Sequence, residues 1–262
     1  MQITVLGKSP AWQDAGGAGS GYLVDEGETT FLVDCGCGVF GKLREAVEDF
    51  RGIDAVYISH LHADHCFDLI PFAYALVQAP HESGRRPRLY LPEGSTETLS
   101  LISGTWGDPE LIGRAFDVHE FRAEDTVEIG PSRLRFAEVP HYIPAYAVEV
   151  TGTDGGRFVF GADCGPNEAL VELASDCDLL LIEATLEEPE DSDFRGHLTA
   201  REAGEHARDA GAARTVLTHI SDELDHEAAR QAAAGVYDGE ISVAFEGAVY
   251  QVFAADPISK AV

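Results

Sequence analysis

The sequence predicts an α/β chain built as a four-layer αββα sandwich, two mixed β-sheets covered on their outer faces by helices. Three observations lead there. Short apolar or alternating runs bounded by Gly, Pro and Asp recur along the chain and read as strands. Helical patterns fall between them. The strands also sort into two comparable sets, and each set needs a partner face and a helical cover to bury its apolar side.

In chain order, residues 1–7 read as the opening strand, and strands follow at 21–25, 30–34, 55–59, 88–91 and 133–139. Later strands at 145–150, 157–160, 179–183, 215–218 and 241–245 complete two comparable sets. Helical patterns occupy 39–50, 68–78, 167–174, 199–210 and 223–234. The fourth opens on Thr199 with Glu202 three residues on, the spacing of a capping box. The glycine-rich stretch 15–21 lacks the Gly-Lys-Ser/Thr of a phosphate cradle and runs into a strand, so it reads as a flexible loop at the rim of a site. With no repeat, linker or low-complexity tract, residues 1–262 are expected to form one domain.

Composition narrows the function classes. A net charge of −28, from 46 acidic and 18 basic residues, repels polyanions, so nucleic acid is disfavoured as a partner. The basic cluster Arg85-Arg86-Pro87-Arg88 is too small to grip a folded RNA and reads as a solvated loop or a contact for one phosphate. No apolar run reaches the roughly 18 residues that span a bilayer, and Pro71 interrupts the longest, 69–79. The start lacks the basic and apolar regions of a secretion signal, so a cytoplasmic location is expected. Five cysteines without paired spacing read as reduced thiols, and Cys35-Gly36-Cys37 as small residues in close packing.

Chemistry concentrates in Ser59-His60-Leu61-His62-Ala63-Asp64-His65, directly after an apolar strand. Three imidazoles and a carboxylate so close together repel on protonation and bury poorly unless ions hold them, and imidazole nitrogen and carboxylate oxygen are ligands that zinc prefers. One loop cannot fill two coordination spheres. Further His and Asp residues are therefore needed at other strand exits, and His141, Asp163 and His219 each stand at one.

The pattern resembles the metallo-β-lactamase superfamily, whose His-x-His-x-Asp-His signature matches His60, His62, Asp64 and His65. The resemblance implies two metal ions: His60, His62 and His141 on one, Asp64, His65 and His219 on the second, and Asp163 bridging them. It favours two Zn2+, since relatives with redox iron pairs often carry Glu where His62 stands, and it admits Mn2+ or Fe2+.

Two further segments resemble the tRNase Z-like branch: Ile182-Glu183-Ala184-Thr185, similar to its His-Glu-Ala-Thr motif, and Gly196-His197-Leu198-Thr199-Ala200 before a helix. Carried over, Glu183 orients His197, which stabilises phosphorane-like charge or protonates the leaving oxygen. Members of the branch that process tRNA carry a long arm between the equivalents of His141 and Asp163. Only 22 residues separate those positions here, which leaves no room for the arm and disfavours a tRNase Z-like ribonuclease.

Without the arm, the chain resembles small atypical class II cyclic-nucleotide phosphodiesterases of actinobacteria. The segments that carry this likeness are the opening Ile3 to Gly7 with Ser20 to Leu23, the stretch Ser59 to Asp68, and His197-Leu198-Thr199 through Leu217-Thr218-His219-Ile220. The resemblance implies a phosphodiesterase for a small phosphodiester, foremost a 3′,5′-cyclic nucleotide such as cAMP. Metal-activated hydroxide attacks phosphorus, Asp64 orients it, and His197 and Glu183 assist departure of the leaving group. Relatives also commonly form homodimers. A rival is a hydrolase of a lactone, thioester or β-lactam on the same centre, and another a metal-stabilised scaffold without turnover.

This chain departs from the branch at Gly161-Ala162-Asp163-Cys164 and at Ala147-Val148-Glu149, where an Arg that contacts phosphate is the usual third residue. Cys66 and Cys164, each beside a candidate ligand, read as packing residues rather than ligands.

Overall fold

The computed structural model describes residues 1–80 and 85–254. The first sheet is built from β1 (Gln2–Gly7), β2 (Gly21–Asp25), β3 (Thr30–Val33), β4 (Ala55–Tyr57), β5 (Arg88–Pro92) and β6 (Asp117–Phe121). Helices α1 (Val39–Ala46), α2 (Ala63–Cys66), α3 (Leu69–Gln78), α4 (Ser95–Gly104) and α5 (Leu111–Ala115) connect them. The second sheet follows as β7 (Thr126–Ile129), β8 (Ser132–Val139), β9 (Ala145–Thr151), β10 (Arg157–Phe160), β11 (Leu179–Glu183), β12 (Arg214–Thr218) and β13 (Glu240–Val243). Helices α6 (Glu168–Leu173), α7 (Ala200–Ala210) and α8 (His226–Ala234) cover it, and β14 (Val249–Gln251) returns to pair with β1.

Each sheet has seven strands, in the orders β14-β1-β2-β3-β4-β5-β6 and β13-β12-β11-β10-β9-β8-β7. In both, an antiparallel meander passes into parallel strands: β3, β4, β5 and β6 in the first, β10 to β13 in the second. The alternation of side chains along a strand assigns each residue to a layer. Tyr22, Val24, Phe31, Val33 and Tyr57 face the other sheet, whereas Leu23, Leu32 and Val56 face the outer helices. The sheets are joined at their centre by Tyr57, stacked on Phe136 at 5.5 Å and on Phe121 at 5.3 Å, with its hydroxyl donating to the Tyr146 carbonyl at 2.8 Å. The expected αββα architecture is present.

Local differences from the sequence reading have identifiable causes. The first helix stops at Ala46, because Val47 turns extended and Phe50 swings back in a 3-10 turn, Phe50–Gly52, to pack on Phe40 and Phe72. Strand β6 escapes the pattern because it is largely exposed and polar, and β14 because three residues carry no period. The capping box at Thr199 and Glu202 is present on both sides, and Arg195 pairs with the same carboxylate. The arginines at 85–88 find partners within the fold: Arg85, half exposed, on the Asp54 carboxylate and the Gly52 carbonyl, Arg86 on the Phe116 carbonyl and Arg88 on the Glu128 carbonyl. Among the described residues no helix is long and apolar enough to cross a membrane.

Candidate metal centre

In open α/β sheets, ligand sites collect beyond the carboxyl ends of parallel strands, where chains leave the sheet with side chains free. That edge of both sheets is where the candidate residues stand. Asp34 follows β3, the His60-to-His65 loop follows β4, and Asp163 follows β10. Glu183 ends β11, His219 follows β12, and His141 follows β8.

Two groups of candidate ligand atoms form, each with all its atoms within 4.8 Å of one another: His60, His62, His141 and Asp163, and Asp64, His65, Asp163 and His219. In the first group Nδ1 of His62 lies 3.1 Å from His60 Nε2 and 2.9 Å from His141 Nε2. Asp163 belongs to both. Its Oδ1 is 3.2 Å from His65 Nε2, and its Oδ2 is 3.4 Å from His219 Nε2 and 3.8 Å from His60 Nε2. Asp64 Oδ2 lies 3.1 Å from His219 Nε2 and 3.5 Å from His65 Nε2. All seven residues named by the sequence are brought together.

The surrounding hydrogen bonds decide which ring nitrogen faces inward. His65 Nδ1 donates to Asp34 at 2.6 Å, His60 Nδ1 to the Ser59 hydroxyl at 3.0 Å, His141 Nδ1 to the Gly196 carbonyl at 2.8 Å, and His219 Nδ1 to the Thr185 hydroxyl at 2.7 Å. Each leaves a bare Nε2 lone pair aimed at the centre. Lone pairs facing one another in a buried space repel, and His65 Nε2 is fully buried without a hydrogen bond. A tetrahedral ion with metal–nitrogen bonds of about 2.0–2.1 Å spaces its ligand atoms by roughly 3.3 Å, close to the separations seen. The donor set fits divalent cations of the zinc type.

Charge is divided unevenly in the cluster. Burial and the neighbouring His65 hold His60 well below the usual imidazole value. Burial opposes protonation of His65 too, yet Asp163 and Asp34 raise its pKa well above that value, so its Nε2 binds a proton wherever a cation does not take that lone pair. Against its own burial, Asp163 is held well below the carboxylate range by His219 and His65.

Beside the two groups stands a third, Glu183, His197 and His219. Glu183 is 1% exposed and accepts from His197 Nδ1 at 2.9 Å, from the Thr185 hydroxyl at 2.6 Å and from the Cys164 amide at 2.8 Å. Burial works against a charge on His197, but Glu183 outweighs it and lifts its pKa to about 9. The pair therefore holds a proton ready at neutral pH.

Asp34 went unnoticed in the sequence, though it belongs to this machinery. Fully buried, it accepts from His65, from the Ser59 amide at 2.7 Å and from the Ser59 hydroxyl at 2.9 Å, so it orients His65 directly and His60 through Ser59. Its one sequence cue is its place at a strand exit, ahead of Cys35-Gly36-Cys37. Asp34→Asn is expected to weaken zinc affinity about 10- to 100-fold, measured by chelator competition. Unchanged affinity would remove Asp34 from this role.

Backbone strain also gathers here. Of the four described non-glycine residues with positive φ, three border the centre: Asp34 at 61°, Ala162 at 53° and His219 at 58°. The glycine-rich stretch is less a flexible rim than a floor beneath the motif loop. Ala18, Gly19 and Ser20 are buried, the Ser20 amide donates to the Asp64 carbonyl at 2.8 Å, and the Cys35 amide donates to His65 O at 2.8 Å. A methyl added at Gly36 would fall inside the Asp64 carbonyl oxygen. Gly36→Ala is therefore expected to cost about 3 kcal/mol, read as a lowered Tm by calorimetry, and an unchanged Tm would contradict the packing.

The cysteines pack. Cys66 and Cys164 are buried and belong to neither ligand group. Glu149, where the resemblance leads one to expect Arg, is bound by Arg135 at 2.9 Å and by Arg157 Nε at 2.9 Å, an internal ion cluster on the outer face of the sheet.

A family model described as the beta-lactamase superfamily domain matches residues 29–220. The probable metallo-hydrolase YhfI of Bacillus subtilis is 29% identical over 96% of this chain and 100% of its own. The uncharacterized protein ML1173 of Mycobacterium leprae is 30% identical over 98% and 91%. A ribonuclease Z of Methanopyrus kandleri is 29% identical over 88% and 91%. The crystal structure of the metallo-beta-lactamase fold protein YhfI superposes with a TM-score of 0.85 at 28% identity, covering 95% of this chain and 99% of that one.

Proposed function

The chain belongs to the metallo-β-lactamase superfamily and is a metal-dependent hydrolase, and from that premise we propose that it is a binuclear phosphodiesterase acting on a small phosphodiester, foremost a 3′,5′-cyclic nucleotide such as cAMP. The observation that carries the reading is the Glu183–His197 pair beside the two ligand groups. A phosphodiester of this kind expels a poor alkoxide leaving group, and an acid so placed supplies its proton.

In this reading His60, His62 and His141 hold one cation, Asp64, His65 and His219 the other, and Asp163 both, with zinc the favoured metal. Bound there, the cations supply Lewis acidity, acidifying water and taking up charge on phosphoryl oxygens. Asp64, one of these ligands, would also accept a hydrogen of the attacking water and fix its direction. His197 carries protons on both ring nitrogens: Nδ1–H stays with Glu183, and Nε2–H passes to the departing ribose oxygen. Glu183, buried and accepting hydrogen bonds on both oxygens, fixes the ring of His197 and favours its protonated form.

The similarity to a ribonuclease Z supports phosphorus chemistry and raises RNA as a second substrate. Against it, the interval from His141 to Asp163 is taken up by β9, β10 and their turns, and the net charge is −28. The test is a panel of cAMP, bis-p-nitrophenyl phosphate, a pre-tRNA, a lactone and a thioester, assayed with zinc, manganese and iron. Turnover of cAMP well above the rest is expected. Turnover confined to the lactone or thioester would overturn the reading.

A further inference from the structure

We propose that Tyr142 and Phe194 form a preorganised aromatic wall on the leaving-group side of the site, and that it selects phosphodiesters carrying a nucleobase. The inference rests on the phosphodiester reading and names the group that the site takes beside the phosphate.

Tyr142 follows His141 directly. Its ring centroid lies 5.1 Å from that of His141 and 5.8 Å from that of His197, and Phe194 continues the wall 6.0 Å further on. Both aromatic residues are 50% exposed. An exposed aromatic pair beside a polar catalytic cluster is a stacking platform, because every base offers a π face. His197 delivers its proton to the leaving oxygen, so the substituent on that oxygen lies along this wall.

Tyr142 is held in place within the wall. The Tyr142 hydroxyl donates to Glu190 Oε1, while Glu190 Oε2 accepts from the Gly196 amide at 3.1 Å. The ring is also pressed onto Gly196: a methyl at that position would lie 2.5 Å from Tyr142 Cε2 and Cζ. Little side-chain freedom is left to lose on binding. The Phe67–Trp106 pair, also exposed, has no ring contact with His197 and serves no such purpose. Glu190, on the loop that carries Phe194, lies against Tyr142 and Gly196, and its charge repels further phosphates and suits one nucleotide rather than a strand.

The test is calorimetric titration of the zinc-loaded protein with adenosine 5′-monophosphate and with ribose 5-phosphate, which share the phosphate and differ in the base. The nucleotide is expected to bind about tenfold tighter. Phe194→Ala and Tyr142→Ala should each reduce that preference to about twofold or less while ribose 5-phosphate still binds, which also shows that the variants fold. Tyr142→Phe keeps the ring, and it should keep the preference. A ratio near one in the wild type, or a preference surviving both alanine variants, overturns the wall alone. Failure of both compounds to bind overturns the phosphodiester reading and the wall with it.

Discussion

Replacing Asp163 by alanine is expected to reduce bound zinc from about two ions per chain to one or fewer and to lower kcat/KM by about a thousandfold or more, a barrier increase of about 4 kcal/mol. Asp163 is the one side chain common to both ligand groups, and its carboxylate stands 3.2–3.9 Å from the Nε2 atoms of His65, His219, His60 and His141. Without it, four inward-facing imidazoles lose their shared anion in a space where Asp163 itself is only 2% exposed. Elemental analysis of the variant together with rates on bis-p-nitrophenyl phosphate checks this. Retention of two ions at wild-type activity would show that the two groups do not share this carboxylate.

His197→Ala should act differently. Its expected effect is a fall in kcat of about 10²- to 10⁴-fold with metal content unchanged, because His197 supplies a proton rather than a place in either ligand group of the centre. The loss should be largest for a substrate with a poor leaving group, such as cAMP, and smaller for p-nitrophenyl esters, whose leaving oxygen needs little protonation. A sign follows for pH. A general acid must be protonated, so activity is lost as pH rises through its pKa. Since Glu183 raises that pKa, Glu183→Gln should move the alkaline limb to lower pH. An alkaline limb that stays in place in Glu183→Gln would dissociate the pair from proton transfer.

Much of the site was legible because its residues are chemically conspicuous. Three histidines and an aspartate within six positions advertise a metal site, and His141, Asp163 and His219 each follow an apolar run that reads as a strand. The resemblance to the tRNase Z-like branch singled out Glu183 and His197 in the same way. Asp34 was not legible. A lone Asp after a strand looks like a turn residue, and only the fold shows it beneath His65 and Ser59. The glycine-rich stretch was legible only in part: Ala15 and Gly16 are exposed, as at a rim, whereas Gly19 packs against the Asp64 backbone, a contact that composition does not report.

The arginines at 85–88 and the acidic residue at 149 show the limit from the other side. Their charges suggested, or withheld, a phosphate contact, whereas the fold pairs Arg85 with the Asp54 carboxylate, Arg86 and Arg88 with backbone carbonyls, and Glu149 with two arginines. Charge in a sequence has no partner until the chain folds.

Residue type and strand periodicity alone determined the layered architecture, the seven candidate ligands and the strand exits that carry them, since burial patterns and ligand chemistry are local properties. Which ring nitrogen faces inward, which carboxylate is shared, and which aromatic rings border His197 were decided only by tertiary structure. Those features depend on distances between residues far apart in the chain, such as the 2.9 Å between His62 and His141, and no local pattern encodes them.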